Sequence, residues 1–120
     1  MKNVTDLEQA KLLQDILPHE TADMCYTTTI HGGKHIEYKL ASIERKQWRE
    51  DLFAWSLAAL IDILPETVNE GTQYYGKLEI TKTHVGYYGA FEQALFIFES
   101  DSIVDNCVNM IIELHNRKLL

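Results

Sequence analysis

The run from Asp51 to Pro65, DLFAWSLAALIDILP, constrains what this chain can fold into more than any other stretch. Between Leu52 and Leu64 only Ser56 and Asp62 interrupt the apolar residues, and Pro65 closes the run. The run reads as a helix over about 52–64 that is apolar on every side, and such a helix has to be covered by the rest of the molecule. Trp55, its largest side chain, is then a core anchor. The run locates the core and specifies no chemistry.

A chain of 120 residues fits one domain, spanning 1–120, large enough to bury a core without disulfides or metals. Its 46% hydrophobic and 24% charged content is that of a soluble globular protein, not a disordered one. Cys25 and Cys107 lie far apart in apolar settings and read as free, buried thiols of a reducing compartment. The N-terminal MKNVTDLEQ carries acids where a signal peptide needs an apolar stretch. The 52–64 run is shorter than the roughly 20 residues that span a bilayer. A cytoplasmic protein without membrane association is the expectation.

The net charge of −7 is unevenly spread. Residues 1–25 hold two lysines against five acids, whereas residues 26–50 hold five basic side chains against three acids. The best basic patch, Lys34, Lys39, Arg45, Lys46 and Arg49, is diluted by Glu37, Glu44 and Glu50. Nucleic-acid binding needs a concentrated basic face, so it is disfavoured.

Along the chain, Thr5 and Glu8 form a capping-box pattern ahead of a first helix over about 6–16, stopped by Pro18. Tyr26–Ile30 and the alternating Ile36, Tyr38 and Leu40 flank Gly32-Gly33 as a hairpin with a two-residue turn. The stretch 42–50 is open between strand end and loop. After the apolar run, Tyr75–Thr81 alternates as a strand, and His84–Gly89 reads as a turn or a short irregular strand. Ala94–Phe98 is apolar on both faces, which predicts a central strand. Ser100-Asp101-Ser102 offers an N-cap for a last helix over about 103–116, with Asp105 in its first turn and Arg117 and Lys118 at its end. The expected fold is α+β: an antiparallel sheet of about four to five strands around a central buried helix, with N- and C-terminal helices mainly on one face.

Chemistry is harder to find. His31 and His35 flank the Gly-Gly turn and could approach each other across it, but no cysteine or carboxylate completes a zinc spacing. Cys107 faces the core on its helix and Cys25 enters a strand, both apolar settings that make a thiol inert. There is no G-x-S-x-G, P-loop, G-x-G-x-x-G or H-E-x-x-H. No catalytic residue, metal ligand or cofactor is therefore assigned. Tyr74, Tyr75, Tyr87 and Tyr88 form two adjacent pairs on strand-like segments, so one tyrosine of each pair should point outward. Tyrosines suit a contact surface, although strand preference alone accounts for them more simply.

Three further segments carry a resemblance. They are Thr5–Leu13 (TDLEQAKLL) with Thr21–Met24 (TADM), Ala54–Leu57 (AWSL) with Leu60 and Leu64-Pro65, and Glu99–Asp101 with Val104, Asp105, Val108 and Met110. In this order they resemble a family of short uncharacterised proteins of Bacteroides-type gut bacteria and their phages or mobile elements. That family tends to have proline just before the Ala-Trp-Ser-Leu motif, where this chain has Phe53. The resemblance implies a shared α+β fold and a phage or mobile-element origin, and it carries no activity. The leading expectation is a small non-enzymatic accessory protein that binds another protein. The alternative is a small-molecule-binding or catalytic domain with a pocket near His31, His35 and the tyrosines.

Overall fold

A computed structural model describes residues 1–31, 35–47 and 49–120, with only the backbone described at 30, 31, 35 and 36. The chain is α+β, and its described strands form two antiparallel sheets, of three and four strands. It divides into two compact units, residues 4–59 and residues 60–120 together with 1–3.

The first unit begins with α1 (Leu7–Gln14). Asp6 caps it, accepting from the Gln9 amide at 2.8 Å while Gln9 Oε1 accepts from the Asp6 amide at 3.0 Å. The expected Thr5–Glu8 box gives way to this one because Thr5 is used elsewhere. The Thr5 amide donates to the Trp55 carbonyl at 2.9 Å, and its hydroxyl accepts from the Trp55 amide at 3.1 Å. The sheet is built from β1 (Met24–His31), β2 (His35–Ser42) and β3 (Leu52–Ala54), in the order β2-β1-β3. His31 pairs with His35, so three residues, 32–34, connect the hairpin where two were expected. The conformation of the Gly-Gly turn lies outside the described residues. α1 packs on β3.

The apolar run thus divides. Its first residues are β3, paired with β1 from Met24 to Tyr26, and only Leu57–Ile63 is the helix α2. A continuous apolar stretch does not distinguish strand from helix by periodicity, so backbone partners decide. The Phe53 amide is taken by Gln14 Oε1 and both Trp55 backbone groups by Thr5. Ser56 then starts the helix, its hydroxyl accepting from the Ala59 amide and donating to the Asp23 carboxylate. α2 is amphipathic, not buried all round: Leu60 is buried while Ile61 and Asp62 are exposed. Where one sheet around a central helix was expected, the described strands form two, and this run supplies a strand to the first of them.

The second unit holds β4 (Thr67–Val68), β5 (Gly76–Ile80), β6 (His84–Tyr88), β7 (Ala94–Glu99) and α3 (Ile103–Asn116), with sheet order β4-β5-β6-β7. α3 packs over β6 and β7, burying Val104, Cys107, Val108, Met110, Ile111 and Leu114. The segment 84–89 that looked irregular holds an interior strand, β6, and the segment 94–98 that looked central lies in β7, which ends the sheet among the described residues. Gly86 explains the first reversal: a Cβ there would sit 3.2 Å from Ile97 Cγ1, so glycine lets β7 close against β6. Phe96 and Phe98 explain the second. They lie opposite Tyr87 and Val85, on the face that α3 covers, and their aromatic bulk does not depend on a strand at either side.

Candidate functional site

The second unit gathers its exposed aromatic side chains at one end of the sheet. β4 ends, β5 begins, β6 ends and β7 begins there, so the loops 69–75 and 89–93 meet. Their backbones touch: a Cβ on Gly89 would lie 3.0 Å from the Tyr75 carbonyl oxygen. α3 runs back antiparallel to β7 and returns its C-terminus to this end, placing the Arg117 guanidinium 4.9 Å from the Phe96 ring centroid. Arg117 also donates to Glu113 at 2.7 Å.

Each loop is held by its own short-range bonds. Asn69 adopts φ 54, a left-handed conformation that Asn tolerates. Its carbonyl accepts from the Thr72 amide and hydroxyl, and its side-chain amide donates to the Tyr74 carbonyl at 3.2 Å. In the second loop the Gly89 amide donates to the Gln93 carbonyl at 2.8 Å, closing a turn with Phe91 at φ 60 and Glu92 at φ 58. Left-handed backbone costs a residue with a side chain on the order of 1–2 kcal/mol. Phe91 bears that cost with 97% of its surface in water. Tyr74 is 62% exposed, and Tyr75 and Leu120 are exposed as well. Beside them runs a groove of about 490 Å³, lined by Asn69, Tyr74, Leu95, Phe96, Arg117 and Leu119.

The four tyrosines separate by environment. Tyr74 and Tyr75 belong to the exposed end. Tyr87 is fully buried, its hydroxyl donating to the Pro65 carbonyl at 2.6 Å, and so it drops out of any contact surface. The cause is register: Tyr87 lies opposite Leu78 and Phe96 on the face that α3 covers. Tyr88 points to the other face, half-buried, edge-on to the His84 ring at 6.1 Å. Burial, with Glu79 and Glu99 nearby, pushes its phenol up from the ordinary range. Tyr74 and Tyr75 precede β5, so strand alternation does not govern them and both face water. Sequence reasoning missed Phe91, Arg117 and Leu119. The available signal was a lone Phe in the polar, glycine-led segment Gly89–Gln93.

Of the five histidines, His31 and His35 lie opposite each other across the hairpin at the level of the backbone. The side chains of His31 and His35 lie outside the described residues, and both belong to the first unit, whereas the tyrosines belong to the second. His84 opens β6, bonded to Thr81 Oγ1 at 2.9 Å and Glu79 Oε1 at 3.1 Å. His19 stacks on Phe53 at 4.3 Å, and Lys46 lies 4.6 Å over the same ring. Of the basic patch, Lys34 is outside the described residues, while Arg45 lines a recess of about 240 Å³ with Thr27, Thr28, Gln47 and Asp51. Among the described residues no three His, Cys, Asp or Glu side chains could share a metal ion, and no helix is long and apolar enough to cross a membrane.

Two buried polar side chains organise structure. Asp51 accepts from the Thr28 amide at 2.8 Å, the Thr28 hydroxyl at 2.9 Å and the Gln47 amide at 2.9 Å, tying the loop before β3 to β1. Asn106 accepts from the Ser100 hydroxyl and donates to the Thr83 carbonyl, fixing the start of α3 to the β5–β6 turn.

Cys25 and Cys107 are free and buried. Burial pushes the Cys107 thiol up to about 11, from 9.0. Unfolding restores the lower value, so Cys107 favours the folded state fully below pH 9.0 and progressively opposes it from there to about pH 11. Wild-type stability should therefore fall across that window by more than that of Cys107→Ala, measured by urea unfolding at each pH. Alkylation of Cys107 at pH 8 should track global unfolding.

Compared with family models, curated proteins and solved structures, the chain finds no match.

Proposed function

We propose that this chain is a small non-enzymatic accessory protein that acts by contact with another protein, through the aromatic end of its second unit. The observation that carries this reading is Phe91, an aromatic side chain held almost wholly in water on a left-handed backbone. Strain of that kind persists where something other than stability selects it, and contact sites are a recurrent reason. Tyr74 and Tyr75 enlarge the patch, and aromatic anchors of this type dominate binding energy in interfaces. The resemblance to proteins of Bacteroides-type bacteria and their phages supports an accessory role in a phage or mobile element. A cytoplasmic setting agrees with two free buried thiols.

Phe91→Gly separates function from stability. Glycine adopts φ 60 without strain, so the variant should melt at or slightly above the wild-type temperature. It should also lose the partner that wild type retains from a native host lysate across a range of salt concentrations. A variant that keeps the same partner at the same yield overturns the reading.

A second reading, small-molecule binding, is favoured by the groove beside Tyr74, whose volume of about 490 Å³ falls in the range of ligand sites. Ligand screening by thermal shift, repeated with Leu95→Trp to fill the groove, tests it.

A further inference from the structure

We infer that the groove beside Tyr74 binds a small, free carboxylic acid with an apolar body, its carboxylate seated on the Arg117 guanidinium. The assignment rests on the small-molecule reading above and adds the class of ligand. All six lining residues belong to the second unit, and Arg117 is the one among them that carries a charge. A guanidinium offers five N–H donors in a planar fork. Here Nε donates to Glu113 Oε1 at 2.7 Å, and the guanidinium carbon lies 4.9 Å over the Phe96 ring. Among the described residues no hydrogen bond is made to its two terminal nitrogens. One edge and one face of the group are thus held by the protein. The other edge, whose paired N–H groups match the two oxygens of a carboxylate, is open.

Desolvation decides the ligand class. Leu95, Phe96 and Leu119 are half-buried, so each keeps apolar surface for a ligand body to cover. A wholly apolar body closing over the groove would strip water from the open N–H groups of Arg117 and return no acceptor, and a charged donor left so is the costly case. A carboxylate on the same body supplies two acceptors and the opposite charge. An ammonium there would face the guanidinium, and the acceptors nearby are already engaged. At the end of α3 the Glu113, His115 and Leu114 carbonyls accept from the amides of Arg117, Lys118 and Leu119, and the Glu113 carboxylate accepts from Arg117 Nε. A volume of about 490 Å³ holds a body as well as a carboxylate head.

The test is an NMR titration of the whole protein at pH 7 and fixed ionic strength. The probe is 3-phenylpropionate, beside 3-phenylpropanamide, 3-phenylpropylamine and acetate. The propionate should shift the backbone amides of Tyr74, Leu95 and Leu119 and bind about tenfold more tightly than the propanamide, with the amine and acetate weaker still. Arg117→Gln, at an exposed position after α3, should keep the wild-type circular dichroism and bring the propionate down to the affinity of the propanamide. Arg117→Lys keeps the charge without the fork and should lose most of the preference. A folded Arg117→Gln that retains the full preference overturns the inference. If the propanamide binds as tightly as the propionate and Leu95→Trp blocks both, the small-molecule reading stands and the carboxylate assignment fails. If none of the four probes shifts those amides, both fail. If acetyl-Ala-Ala-Phe with a free C-terminal carboxylate binds far more tightly than the propionate, the occupant is the end of a partner chain and the free-acid assignment is wrong.

Discussion

Trp55→Ala should cost about 3–5 kcal/mol, enough to unfold much of the first unit. The indole is fully buried, and its Nε1 donates to Thr21 Oγ1 at 2.9 Å, whose own hydroxyl donates to the Pro18 carbonyl at 2.6 Å. Truncation therefore leaves a cavity and removes the donor that anchors the turn after α1. The backbone at Trp55 also carries both bonds to Thr5, and Tyr26 donates its hydroxyl to the Thr5 carbonyl at 2.6 Å. These tie the start of the unit to β1 and β3, so the effect should appear as lost amide protection along both strands. Trp55→Phe keeps most of the apolar volume and should cost markedly less. Urea unfolding followed by circular dichroism reads both. A Trp55→Ala loss near 1 kcal/mol or below would show that this side chain is not the anchor of the unit.

Sequence reasoning succeeded where one signal had one structural solution. The capping segment Ser100-Asp101-Ser102 followed by a clean apolar stripe predicts a helix over about 103–116, and α3 is Ile103–Asn116 with Ser102 as its cap. The alternation of Ile36, Tyr38 and Leu40 gave the β1–β2 hairpin. It went astray where two solutions share a pattern. Thr5–Glu8 and Asp6–Gln9 both satisfy a capping box, and the choice falls to Asp6 only because Trp55, fifty residues on, engages Thr5. The run after Asp51 is compatible with strand and helix alike, and its first three residues follow β1. Long-range partners made both choices, and no local window contains them. The exposed end was legible only in part. Tyr74 and Tyr75 could be named from the chain, but the burial of Tyr87 depends on its register opposite Phe96. The exposure of Phe91 depends on a left-handed turn that its own sequence does not favour.

Tyr87→Ala should cost about 3–5 kcal/mol in the second unit, matching Trp55→Ala in the first. Its ring is wholly buried, tilted against Phe96 at 5.6 Å, and its Cβ lies where a side chain on Gly76 would come within 3.2 Å. Leu95 fills the space that glycine leaves there, its Cδ1 lying 2.6 Å from where a Gly76 Cβ would sit. The Tyr87 hydroxyl reaches the Pro65 carbonyl, so the residue that ends the apolar run is held by β6, an interior strand of the second sheet. Burial pushes this phenol far above its ordinary range, with the neighbouring Cys107 adding to the rise, so it is protonated and donating at neutral pH. Tyr87→Phe isolates that bond. It removes only the donor and should cost about 1 kcal/mol, rising toward 3 if the Pro65 carbonyl is left without a partner. The difference between the two variants assigns the larger share to packing. If Tyr87→Phe proved as damaging as Tyr87→Ala, the hydrogen bond to Pro65 rather than the filled core would be what holds the second sheet together.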